Sequence, residues 1–136
     1  DWKKSKAFAE KVIKKFDVRT PGSQNTAGSL SGGNLQKFVI GREILQNPSV
    51  FIVNQPTWGV DAAAASSIRQ ALLTLSENGA AILVISQDLD ELLEISDQFA
   101  ALNGGALSRI EKTAELSMEQ IGLMMGGAKD LEVRNV

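Results

Sequence analysis

The order of apolar and helical segments predicts an α/β fold built on parallel strands. Two short apolar runs, residues 50–53 and 80–86, bracket an alanine-rich helical segment at residues 62–78. Further segments with helical spacing of apolar residues stand before and after that unit. A strand, helix, strand order of this length closes as a right-handed crossover between parallel strands, and ligand chemistry collects at the carboxyl ends of such strands. Asn54, Gln55 and Gln87 stand at those ends.

Each element follows from local pattern. Over residues 2–16, six lysines alternate with Ala7, Phe8, Val12, Ile13 and Phe16, which predicts a helix with an apolar stripe and a basic solvated face. The polar stretch 20–26 is a loop. A helix over 32–46 follows and is stopped by Asn47-Pro48, because the residue before a proline avoids helical backbone. The continuous run Val50-Phe51-Ile52-Val53 reads as a strand buried on both faces, and Pro56 breaks it. The helix over 62–78 ends at Gly79, a C-cap, and feeds the second strand. Asp88 caps a helix carrying Leu89, Leu92, Leu93 and Ile95. Residues 98–102 and 106–110, joined through Asn103-Gly104-Gly105, form a hairpin. A last amphipathic helix over 118–125 ends at Gly126-Gly127, with a loose tail beyond.

Composition narrows the chemistry. At 136 residues and 43% apolar content the chain is long enough for one small domain with a core. It has no cysteine and no histidine, which removes disulfides, thiolate sites and imidazole ligands. A net charge of -2 gives no general affinity for nucleic acid or an anionic membrane. No run of eighteen apolar residues occurs, and nothing at the start reads as a signal peptide.

The most informative run is Leu30-Ser31-Gly32-Gly33-Asn34-Leu35-Gln36-Lys37. Ser31 is placed to cap a helix, while Gly32 and Gly33 let a phosphate approach the backbone N–H groups at the positive end of the helix dipole. Seventeen residues after Gly33 the apolar strand begins, followed by Asn54-Gln55-Pro56-Thr57 and the turn Trp58-Gly59-Val60-Asp61. The second strand leads into Ser86-Gln87-Asp88. A lone Ser-Gly-Gly is an ordinary helix entry; the whole series in this order is specific.

In that order and spacing the segments resemble an ABC-type ATP-binding cassette. Residues 30–37 are similar to its signature motif, 50–55 to its Walker B strand, 58–61 to its D-loop and 84–88 to its switch. The resemblance covers nearly the whole chain, and no stretch fits the Gly-x-x-x-x-Gly-Lys-Ser/Thr pattern of Walker A. The chain, which begins at Asp1, is therefore expected to be the C-terminal piece of a P-loop NTPase-type cassette with the Walker A half absent. Residues 1–46 would be part of the helical subdomain and the signature helix, 47–97 the Walker B, D-loop and switch region, and 98–136 the terminal hairpin and helix. An incomplete sheet of this kind exposes apolar surface, through which the fragment is expected to self-associate.

The resemblance implies that two cassettes sandwich ATP head to tail. Ser31, Gly32 and Gly33 would then contact the γ-phosphate of ATP held by another cassette. Asn34 replaces the glutamine of the commonest form and keeps its amide, as in sugar and nucleoside importers. The other site is altered: Asn54 stands for the Walker B aspartate, Gln55 for the glutamate that polarises water, and Gln87 for the switch histidine. An amide cannot accept water's proton, and losing a general base costs about 10²- to 10⁴-fold in rate. Neutral oxygens also support Mg²⁺ poorly. Asp61 either couples the two sites across the interface or simply caps the following helix; both are sufficient. Trp58, where many relatives have arginine, would pack at the cassette interface.

The resemblance is finest with the second, degenerate cassette of a simple-sugar or nucleoside importer whose ATP-binding subunit fuses two cassettes. Asp17-Val18-Arg19-Thr20-Pro21 and Ile121-Gly122-Leu123-Met124-Met125 tilt it toward the nucleoside type. The implied cofactors are ATP and Mg²⁺ in the complete assembly. The implied partners are a second cassette, membrane permease subunits and, indirectly, a periplasmic or lipoprotein solute-binding component, with no nucleic acid. The implied place is the cytoplasmic face of the bacterial inner membrane, peripherally bound. The parent would be a transport ATPase and this piece alone inactive. A cassette of a non-transport ATPase in DNA repair or translation shares the same core motifs, and a non-catalytic interaction module is the third reading.

Overall fold

The computed structural model describes residues 1–127; the tail expected beyond Gly127 lies outside them. The chain divides into two compact units, one of residues 1–87 and one beginning at Asp88.

In the first unit, α1 spans Trp2–Lys15, capped by Asp1, whose carboxylate accepts from the N–H groups of Lys3 and Lys4. Its six lysines are all exposed, while Val12 and Phe16 are buried. A short 3-10 turn at Ala27–Ser29 leads to α2, Gly32–Ile44, which ends two residues sooner than its spacing predicts. Asn47 then takes a left-handed backbone, φ 51°, ahead of Pro48. A side chain at Gly41 of α2 would run into the Phe16 ring, so the glycine sets how closely α1 and α2 approach.

Strand β1, Val50–Asn54, pairs in parallel with β2, Ala81–Ile85, in the register Ile52 with Leu83. Between them runs α3, Ala62–Glu77, which buries Ala64, Ile68, Leu72 and Leu75 at helical spacing. The strand, helix, strand unit with parallel pairing is as expected, but burial on both faces is not. Phe51 and Val53 are buried, whereas Val50, Ile52, Leu83 and Ile85 are exposed, Ile52 at 64%. The helices of this unit cover one face of the two-stranded sheet and leave the other open. A run apolar at every position therefore alternates in burial like a half-covered strand.

In the second unit, α4 spans Leu89–Ile95 and is capped by Asp88, which accepts from the N–H of Glu91 at 3.0 Å. The expected hairpin is present as two short ladders. β3, Gln98–Phe99, pairs antiparallel with β6, Glu111–Lys112, and β4, Leu102–Asn103, with β5, Ala106–Leu107. Helix α5, Met118–Met125, begins at a capping box in which Ser117 and Gln120 satisfy each other's backbone N–H groups. Phe99, Ala101, Ile121 and Met124 form this unit's core, with Leu89, Leu92, Leu93 and Leu116 packed on it.

Candidate functional site

Ser31, Gly32, Gly33, Asn34, Asn54, Gln55, Asp61 and Gln87 all lie in the first unit, at the start of α2, at the carboxyl ends of β1 and β2 and in the turn before α3. Ser31 occupies the N-cap position of α2, but no side chain caps this helix. The capping expected of its hydroxyl is not made; the hydroxyl oxygen meets Asn34 instead. The Arg19 N–H donates to Asn34 Oδ1 at 2.8 Å, which turns Asn34 Nδ2 toward Ser31, where it donates to the hydroxyl oxygen at 2.9 Å. Ser31 thus accepts through Oγ and keeps its own proton for an outside acceptor.

The two glycines differ. A Cβ on Gly32 would meet nothing within 4 Å, so an anion can approach the backbone there. One on Gly33 would lie 2.8 Å from the Gly59 carbonyl oxygen. Gly33 is small because the 58–61 turn packs against it, a cause that its place in the motif does not reveal. Ser31, exposed, with the uncapped first turn of α2, offers hydroxyl and N–H donors at the positive end of a helix dipole; that donor set fits a phosphate.

Asn54 ends β1 and is exposed. Gln55 follows in a left-handed backbone, φ 51°, a conformation that costs a non-glycine residue about 1 kcal/mol. Besides the Trp58 N–H, which donates to its carbonyl at 3.2 Å, three bonds hold it there. Its N–H donates to the Ile85 carbonyl at 2.7 Å, its carbonyl accepts from Gln36 Nε2 at 2.9 Å, and its Oε1 accepts from the Ser86 hydroxyl at 3.5 Å. Gln87, two residues past β2, is exposed. These neutral amides can hold a water but carry no charge. Among the described residues no three His, Cys, Asp or Glu side chains gather to hold a metal. The strand ends therefore do not fit the Mg²⁺ of a complete cassette, whose ligands are ionised oxygens.

Asp61 caps α3, its carboxylate accepting from the Ala64 N–H at 2.9 Å. That bond first, then the charges of Lys37 and Arg19, hold its carboxyl below the ordinary aspartate value. Trp58 is 72% exposed on the same turn. The residues that sequence reasoning missed are Gln36 and Lys37. Lys37 has a signal: it stands on the stripe Lys37, Ile40, Gly41, Ile44 that α2 buries, where a lysine is out of place.

The chain matches no protein-family model. It is 40% identical over 127 residues to the nucleoside import ATP-binding protein NupA of Lactococcus lactis, covering 93% of this chain and 25% of that protein. It is also 40% identical over 119 residues to the galactose/methyl galactoside import ATP-binding protein MglA of Mannheimia succiniciproducens, covering 88% and 24%. The chain thus spans about a quarter of the length of these curated relatives. Among solved structures, the post-hydrolysis dimer of the ATP-binding cassette MJ0796 with ADP and phosphate superimposes with a TM-score of 0.69 at 26% identity, over 79% of this chain and 46% of that one. The parallel strands and helices of the chain superimpose on a solved ABC cassette, and with its import ATP-binding relatives this makes the chain the C-terminal part of an ABC-type ATP-binding cassette.

Proposed function

We propose that this chain is part of the ATP-binding subunit of an importer for simple sugars or nucleosides, and that it lends its signature to an ATP site on another cassette. Its own strand ends, lined by Asn54, Gln55 and Gln87, are hydrolytically degenerate. The observation that carries this reading is the contrast between the two surfaces: the signature keeps its donor set, while all three ionisable positions of the other site are amides. Ser31, Gly32 and the first-turn N–H groups bind the γ-phosphate of ATP held elsewhere, and Asn34 orients the Ser31 hydroxyl. ATP supplies the phosphoryl group whose hydrolysis drives transport. At this chain's own site Gln55 can orient a water but not take its proton.

The partners are a second cassette and permease subunits at the cytoplasmic face of the membrane, with a periplasmic or lipoprotein solute-binding component reached through the permease. No helix among the described residues is long and apolar enough to cross a membrane, in keeping with peripheral attachment through a permease. The import relatives at 40% identity favour this over a role in translation; the archaeal ribosome recycling factor aABCE1 superimposes with a TM-score of 0.65 at 26% identity.

Calorimetric titration of the chain with MgATP tests the reading. A signature without Walker A gives no saturable binding; 1:1 binding in the micromolar range, about -8 kcal/mol, would overturn it. In the complete importer, Ser31→Arg abolishes uptake, and uptake that survives the substitution argues for a pure interaction module.

A further inference from the structure

Lys37 is a cation whose side chain is 8% exposed, on a helix that otherwise buries apolar residues, and the nucleotide chemistry above makes no use of it. A buried ammonium is tolerated only with oxygens around it. Two residues supply them. Nζ donates to the Asp17 carbonyl at 3.3 Å and lies 4.0 Å from the Asp17 carboxylate and 3.8 Å from that of Asp61. Asp17 holds a left-handed backbone, φ 47°, just past the end of α1. Asp61 closes the turn that begins at Trp58.

Two further contacts act in the same direction. Gln36 Nε2 donates to the Gln55 carbonyl at 2.9 Å and to that of Pro56 at 3.1 Å, and the Gly59 carbonyl packs where a Gly33 side chain would stand. Three successive turns of chain, the exit of α1, the end of β1 and residues 58–61, are thus fastened to the first two turns of α2.

We infer that Lys37 is a positioning residue that locks the Trp58–Asp61 turn and the signature helix into one preset surface, so that a second cassette meets both at once. The function of that surface rests on the signature-lending reading; the lock itself does not. Trp58 and the first turn of α2 then move together on cassette closure, and a change at either is felt at the other without hydrolysis at this chain's own site.

Amide hydrogen exchange of the full chain, without nucleotide, tests the lock. The Trp58 and Val60 N–H groups bond to Gln55 and Thr57 carbonyls within the turn, so their exchange reports its opening. Asp61→Asn keeps the α3 cap, since asparagine caps as well as aspartate, and removes only the charge. We expect Asp61→Asn and Lys37→Met each to speed exchange of these two amides about fivefold, leaving Leu72 and Leu75 of α3 unchanged. The double variant should be no faster than either alone, and Lys37→Arg should restore the slow rate. Equal acceleration in α3, additive effects in the double variant, or an unchanged turn in Asp61→Asn overturns the inference. Should Lys37→Met fail to fold, Asp61→Asn alone decides it. Since neither ATP nor a second cassette is present, this outcome is independent of the MgATP titration.

Discussion

A methyl group added at Gly33 would meet the Gly59 carbonyl oxygen at 2.8 Å, whereas one added at Gly32 would meet nothing within 4 Å. The obstacle at Gly33 is backbone, which cannot swing aside as a side chain would. Gly33→Ala should therefore lower stability by about 1–3 kcal/mol, read as a fall in the urea midpoint, with a change in Trp58 emission as the turn is pushed away. Gly32→Ala should stay within about 0.5 kcal/mol of the parent, because the site is open. Equal destabilisation by the two would mean that the turn does not pack on α2 as described. At the same scale Ser31 makes a different bond from the helix cap that its type suggests. Asn34, oriented by the Arg19 N–H, uses the hydroxyl oxygen as its own acceptor. Residue type alone favours a serine cap, and the Arg19–Asn34–Ser31 chain of bonds is visible only in the structure.

At the scale of elements, periodicity located each α-helix of the described residues to within two or three residues, though not the 3-10 turns, because apolar spacing, the Asp88 cap and the proline after Asn47 act within a few residues of chain. It was less able to say which side of an element is covered. Helix α3 buries Leu72 at 2% exposure, and Leu72→Ala should cost about 2–5 kcal/mol in urea unfolding. Val50 in β1 is 65% exposed, and Val50→Ala should cost less than about 0.5 kcal/mol. A similar loss at both positions would show that the outer face of β1 is covered in solution. The run 50–53 is apolar at every position, so its sequence cannot separate a strand covered on both faces from one covered on one; the helices that would decide it are distant in sequence.

For the molecule as a whole, that open face is an apolar surface that the first unit leaves uncovered. Val50, Ile52, Leu83 and Ile85 lie side by side through the parallel register and leave a contiguous apolar surface in water. Such a surface drives association. Sedimentation velocity should show the chain's mean mass rising with concentration, and Ile52→Lys with Leu83→Glu should return it to the monomer. A concentration-independent monomer in the parent would show that this face tolerates solvent.

The sequence by itself determined the α-helices and main strands, the order of the motifs and the family they resemble, because helix spacing, the Asp88 cap and short apolar runs are properties of short stretches of chain. That Asn54, Gln55 and Gln87 at the strand ends are all neutral amides was equally legible, since it concerns residue identity alone. What only the tertiary structure decided is which partners those residues meet. Gly33 is needed by the turn at Gly59, Lys37 is buried against Asp17 and Asp61, and the sheet is covered on one side. Each of these depends on atoms brought together from more than fifteen residues apart. Their energies come from close packing and desolvation, which no local pattern of residues encodes.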